Sequence, residues 1–203
     1  GGGESVEGYC SDHTRTYPVN GKFTDRQRDI YNIVLNAHSQ VKDMIKPGTM
    51  YPEIHKAAYL SLAEGLKGVG LIKSTPEVAV EAGAMYLFMP HGLGHGMGMD
   101  VHDMEGLGEN NVGYDAETPR STKEGFRGLR CGKVLKPGMV VTDEPGIYFI
   151  PTLIDIWKAE GKHKEFINYD KVETFKDFGG IRIEDDLLIT ADGNRVLGRP
   201  IPK

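Results

Sequence analysis

The order of elements along the chain predicts an α+β fold, with helices covering one face of a mostly antiparallel sheet. Three observations carry that reading. An N-terminal stretch rich in aromatic and β-branched residues comes first, helical patterns follow it, and short strands divided by loops fill the second half.

The first stretch, Gly8 to Pro18, reads as a strand closed by the turn at Asn20-Gly21. Thr24 followed by Gln27 is a capping-box start for a long helix. Ile30, Ile33, Val34, Ala37, Val41, Met44 and Ile45 keep helical spacing until Lys46-Pro47-Gly48 stops it. A second helix is expected from Pro52 to Gly65 or Gly68. A short third begins at Thr75-Pro76, a good cap and first-turn pair. Val140 to Glu144 and the run Ile181 to Thr190 are the clearest strands, and Asp192-Gly193-Asn194 is the tight turn of a final hairpin. Gly106–Gly128 and Pro151–Lys176 read as loops, the latter with helical pieces around Trp157.

The 203 residues suit one domain or a large part of one, and 39% hydrophobic with 26% charged residues is an ordinary globular composition. A net charge of -5 without any Lys/Arg block excludes a nucleic-acid footprint. Apolar runs fall far short of a membrane span, so no membrane partner is expected. Two distant cysteines, Cys10 and Cys131, fit a reducing compartment, and the N-terminus lacks the regions of a signal peptide. A cytoplasmic location is the expectation.

Asp12, His95, Glu144 and Glu184 fall where a folded core normally places apolar side chains. Burying carboxylates costs several kcal/mol each unless they are paired or bound to metal. Arg182, Glu184 and Asp186 share one strand face opposite Ile181 and Ile183, as if lining a cavity. Hard oxygen donors with one imidazole suit Mn²⁺, Co²⁺, Fe²⁺ or Zn²⁺, and bridging carboxylates allow a metal pair about 3.5–4 Å apart holding a water nucleophile. Each residue alone has a plainer reading. An Asp in a strand is commonly a surface residue, His91, His95 and His102 could be a hydrogen-bonded loop cluster, and Arg182 with Glu184 could be a solvated ion-pair face. Spacing alone supports a candidate metal site and no more.

The motifs together say more. Met89-Pro90-His91-Gly92-Leu93-Gly94-His95 leading to Asp100-Val101-His102-Asp103, then Glu144-Pro145-Gly146-Ile147-Tyr148, then Gly180-Ile181-Arg182-Ile183-Glu184-Asp185-Asp186, preceded by Ser11-Asp12-His13-Thr14-Arg15-Thr16, resemble in order the segments of the pita-bread metallopeptidases. The resemblance covers nearly the whole chain and implies the C-terminal part of a pita-bread fold, a curved and mostly antiparallel sheet. The run Glu144 to Ile150, the insert that follows and Phe178-Gly179-Gly180 look closest to the prolidase branch, which cleaves X-Pro dipeptides through a metal-bound water.

Carried over position by position, the resemblance implies that Asp12 and Glu184 bridge two Mn²⁺ ions and that His95 and Glu144 ligate one of them. Glu144 would also relay the proton of the attacking water. His102 would touch the substrate carbonyl, His91 would support the site by hydrogen bonding, and Arg130 would bind the proline carboxylate as a planar fork. Arg182 would steady the metal carboxylates. The family pattern has a further aspartate ligand just before Gly2-Gly3-Glu4, outside this sequence. Residues 1–203 are therefore expected to be a partial catalytic domain, with its N-terminal part as a partner, a homodimer as its assembly, and weak or no activity alone. Aminopeptidase P-type removal of a residue before proline is the alternative activity. A non-catalytic pita-bread binding module is the alternative class, disfavoured by the retained ligands and by the lack of a basic tail.

Overall fold

The computed structural model describes all 203 residues. The N-terminal strand β1 (Gly2–Glu4) pairs antiparallel with β2 (Cys10–Asp12). The long strand expected over Gly8–Pro18 is thus only three residues of ladder. Beyond it, the side chains of Arg15 and Thr16 donate to Glu184 O at 2.7 Å and Arg182 O at 2.9 Å, taking acceptors that a regular ladder would use. Only Thr14 keeps a backbone bridge, to Glu184.

Helix α1 (Asp25–Lys42) starts at the capping box: Gln27 N donates to Thr24 Oγ1 at 3.2 Å, and Thr24 N donates to Gln27 Oε1 at 2.9 Å. Its buried stripe is Ile30, Ile33, Val34, Ala37 and Val41. It ends earlier than the spacing suggests, because Met44 N and Ile45 N turn back to the third residue before them, closing the helix in a tighter turn. Helix α2 (Tyr51–Gly68) packs against α1, with Ile33 lying close over Gly65. Helix α3 (Pro76–Ala82) opens with proline and closes at Gly83, whose φ of 84° is a left-handed cap. A short α4 (Glu109–Val112) interrupts the expected first loop, and α5 (Pro151–Ala159) and α6 (Tyr169–Glu173) are the helical pieces around Trp157.

All strand pairs are antiparallel, but the sheet is segmented. β3 (Val140–Asp143) pairs with β6 (Asp185–Ile189), which also carries β7 (Asn194–Val196) through the expected hairpin. β4 (Gly146–Phe149) pairs with β5 (Gly179–Arg182). The single strand expected from Ile181 to Thr190 is therefore broken at Ile183–Glu184, opposite the break that Pro145 makes, since proline has no N–H for a ladder. One hydrophobic cluster joins α1, α2 and α3 to β4, β5, α5 and α6. A second, with Val41, Tyr51, Leu93, Val141 and Leu187, backs β3 and β6. No helix is long and apolar enough to cross a membrane.

Candidate metal centre

The two strand breaks are the frame of the site. In one ladder Asp143 faces Asp185, and in the next Gly146 faces Arg182. The register is the same on both sides of the break, which sets Glu144 directly opposite Glu184. Both are buried, with relative exposures of 7% and 1%. Like charges placed opposite one another on a strand pair are destabilising, more so out of water.

His95 enters from the Gly-rich loop. Its backbone N donates to Thr142 Oγ1 at 3.0 Å, and its ring Nδ1 lies 3.0 Å from Gly96 O, a bond only an N–H can make. Nε2 is thereby left as a bare lone pair. It faces two carboxylate oxygens, Glu144 Oε1 at 3.5 Å and Asp12 Oδ2 at 3.8 Å. Asp12, at the end of β2, is half-buried rather than enclosed, and one of its carboxylate oxygens lies with a ring nitrogen of His95 and a carboxylate oxygen of Glu184 in a group spanning no more than 4.8 Å. Glu144 adjoins this group through His95.

The electrostatics point the same way. Burial, followed by the facing Glu184 carboxylate, pushes Glu144 up to about 8, against the pull of Arg182 and the Thr142 hydroxyl. Burial also raises Glu184, although Thr14 Oγ1 hydrogen-bonds to its Oε2. Burial holds the His95 imidazole down to about 4, so it is neutral near pH 7. Glu184 Oε1 is buried without any hydrogen-bond partner. A neutral imidazole lone pair, an orphaned carboxylate oxygen and facing acids fit a hard divalent cation.

A second chain of contacts steadies the first. Burial and the nearby Arg182 keep His91 neutral, down to about 3. Its Nδ1–H donates to Gly92 O at 2.7 Å, so its Nε2 accepts from the Tyr148 hydroxyl at 3.2 Å. Tyr148 in turn accepts from Arg182 Nε at 2.5 Å, and Arg182 Nη1 stands 3.2 Å from Glu144 Oε2. His91 is thus linked to Glu144 only through Tyr148 and Arg182. His102 is largely exposed, its ring edge-on to His95 at 4.3 Å between centroids. Arg130 reaches the same cavity of about 200 Å³, where His91, His95, His102, Glu144 and Arg182 also lie, but its guanidinium is paired with Glu105 and Glu109.

Sequence reasoning missed Thr142, Thr14, Tyr148 and the two acids on Arg130. A two-residue strand period points to the first two, since Thr142 stands two before Glu144 and Thr14 two after Asp12. Asp186, placed on the cavity face by that same period, accepts from Asp12 N at 3.0 Å and so ties β6 to the Asp12 backbone. Nothing in the spacing marks Glu105 and Glu109, which reach Arg130 from a loop.

Helices over segmented antiparallel ladders, with carboxylates and an imidazole gathered at the ladder break, define a metallopeptidase of the pita-bread type. Residues 2–191 match metallopeptidase family M24, and the chain belongs to that family. It is 40% identical over 193 residues to the Xaa-Pro dipeptidase of Rattus norvegicus, covering 94% of this chain and 38% of the relative. It is 42% identical over 185 residues to a probable Xaa-Pro aminopeptidase of Botryotinia fuckeliana, covering 91% of this chain and 38% of the relative. Among solved structures, proline aminopeptidase P II from Yersinia pestis matches with a TM-score of 0.67 at 35% identity, over 93% of this chain and 35% of that one. The chain spans less than two fifths of the length of these relatives.

Proposed function

We propose that this chain forms part of a metal-dependent hydrolase of X-Pro peptide bonds, with dipeptides as the preferred substrate. Asp12, His95, Glu144 and Glu184 would hold the cation, and their hard donors with one imidazole suit Mn²⁺. The observation that carries the reading is the His95 Nε2 lone pair facing Glu144 Oε1 at 3.5 Å and Asp12 Oδ2 at 3.8 Å, beside the partnerless Glu184 Oε1. A bound divalent cation supplies Lewis-acid polarisation of the scissile carbonyl and activation of water.

The chain's own residues do the rest. Glu144, whose Oε1 lies 3.5 Å from His95 Nε2, would accept the proton of the attacking water and return it to the leaving proline nitrogen. His102, its ring edge-on to His95, would hydrogen-bond the oxygen that gains charge. Arg130 reads the proline carboxylate of a dipeptide as a bidentate fork. The two free thiols, Cys10 and Cys131, suit a cytosolic setting.

Aminopeptidase P-type cleavage of longer X-Pro peptides is the second reading, favoured by the acids already paired with Arg130. Arg130→Ala separates the two. The dipeptidase reading expects a loss of about a hundredfold in kcat/KM on Gly-Pro and much less on a longer X-Pro peptide. Equal losses on both favour the aminopeptidase reading.

A further inference from the structure

We propose that Glu105 is a specificity-determining residue, which competes with the substrate carboxylate for Arg130 and so weakens the preference for free dipeptides. The inference rests on the reading of Arg130 as the proline-carboxylate binder. In the structure one guanidinium nitrogen of Arg130 hydrogen-bonds to Glu105 Oε2 and lies 3.3 Å from Glu109 Oε1. The Glu105 side chain is only 15% exposed, whereas Arg130 is 36% exposed. The same Glu105 oxygen lies 3.8 Å from His102 Nδ1, so it stands between the two groups assigned to the substrate.

This placement is built into the backbone. Met104, just before Glu105, takes a left-handed φ of 58°, which turns the chain into the one-turn helix that carries Glu105. Gly132 N donates to Gly113 O at 2.7 Å, fastening the segment after α4 to the strand of chain that bears Arg130. The positive charge meant for a substrate carboxylate is therefore already matched by two internal ones. A free dipeptide must displace Glu105 or share Arg130 with it against like-charge repulsion. An X-Pro peptide extended past proline brings no carboxylate there and escapes that competition. Glu105 also has somewhere to go, because a larger cavity of about 540 Å³ is lined by both Glu105 and Arg130.

The test is an NMR titration of this chain with L-proline and with L-prolinamide, read on the Arg130 side-chain Nε–Hε signal and the amides of Leu129 to Gly132. Glu105→Gln is expected to strengthen proline binding about fivefold to tenfold while changing prolinamide binding less than about twofold. Glu109→Gln is expected to do less, because Glu109 is also held by Arg120. If Glu105→Gln leaves the proline-to-prolinamide ratio where it was, while Arg130→Ala abolishes proline binding, the competition is wrong and the carboxylate-binding role of Arg130 stands. If Arg130→Ala leaves proline binding intact, or if no variant binds either probe, the role of Arg130 falls and the competition with it.

Discussion

Glu144 and Glu184 face each other across two chain segments whose antiparallel register runs unbroken through the interruption at Pro145 and Ile183. Two carboxyls in that position must share a proton or a cation, because burial removes the water that would otherwise screen them. That requirement makes the metal-free chain sensitive to pH in a predictable direction.

Glu144, pushed up to about 8 from its ordinary 4.5, keeps in the folded chain a proton that the unfolded chain has already released. Its stabilising contribution is complete below about pH 4.5 and is lost as pH rises through about 8. His95 works with the opposite sign. Its pKa is held down to about 4 from 6.5, so its contribution is lost as pH falls between those values. Between pH 6.5 and 8 the Glu144 effect therefore acts with little opposition from His95. Without metal, stability is expected to decline over that window by at most about 1.4 kcal/mol per pH unit from this carboxyl, with Glu144→Gln flattening the slope. Urea titrations at several pH values measure it, and a slope unchanged in the variant contradicts it.

Thr142 touches two of the proposed ligands at once, accepting from His95 N at 3.0 Å and donating to Glu144 Oε1 at 3.2 Å. Thr142→Val keeps the shape and removes both bonds. The variant is expected to lose about 1–3 kcal/mol of stability and about tenfold in Mn²⁺ affinity. Thr142→Ser should retain most of both, as read by denaturant titration and calorimetry.

Gly94 has no room for a side chain. A Cβ there would collide with the Thr142 carbonyl and the Tyr51 hydroxyl and lie 2.7 Å from Thr142 Oγ1. Gly94→Ala is expected to push the His95 loop away from β3, lowering stability by about 1–3 kcal/mol and weakening metal binding. Wild-type metal affinity in this variant would show that the loop position is not what aims His95.

The sequence made much of this legible where local chemistry was strong. The capping box of α1, the proline-led α3 and the final hairpin all formed where their residues announced them. Of the three acids and one imidazole assigned by motif order, Asp12, His95 and Glu184 gather in one group and Glu144 adjoins it through His95, which no periodicity could have shown, because Asp12 and Glu184 meet only through the pairing of distant segments. The break that divides Ile181–Thr190 was hidden because its cause lies in Pro145, across the ladder. The buried group of His38, Asp143 and Asp185 was hidden for a like reason. Asp185 reads on the sequence as one more acid after Glu184, yet it turns to the opposite face, 3.3 Å from His38 Nε2. The acids on Arg130 could not be foreseen either, because loop side chains carry no period that says where they point.

The most direct test of the metal centre is a calorimetric titration of Mn²⁺ into this chain and into Glu184→Gln, whose side chain matches glutamate in shape but lacks the charge. Saturable binding by the chain, weakened about a hundredfold or more in the variant while its melting temperature holds or rises, is the expected result. Binding that is equally tight in both, or no saturable binding in either, would contradict a metal held between these carboxylates.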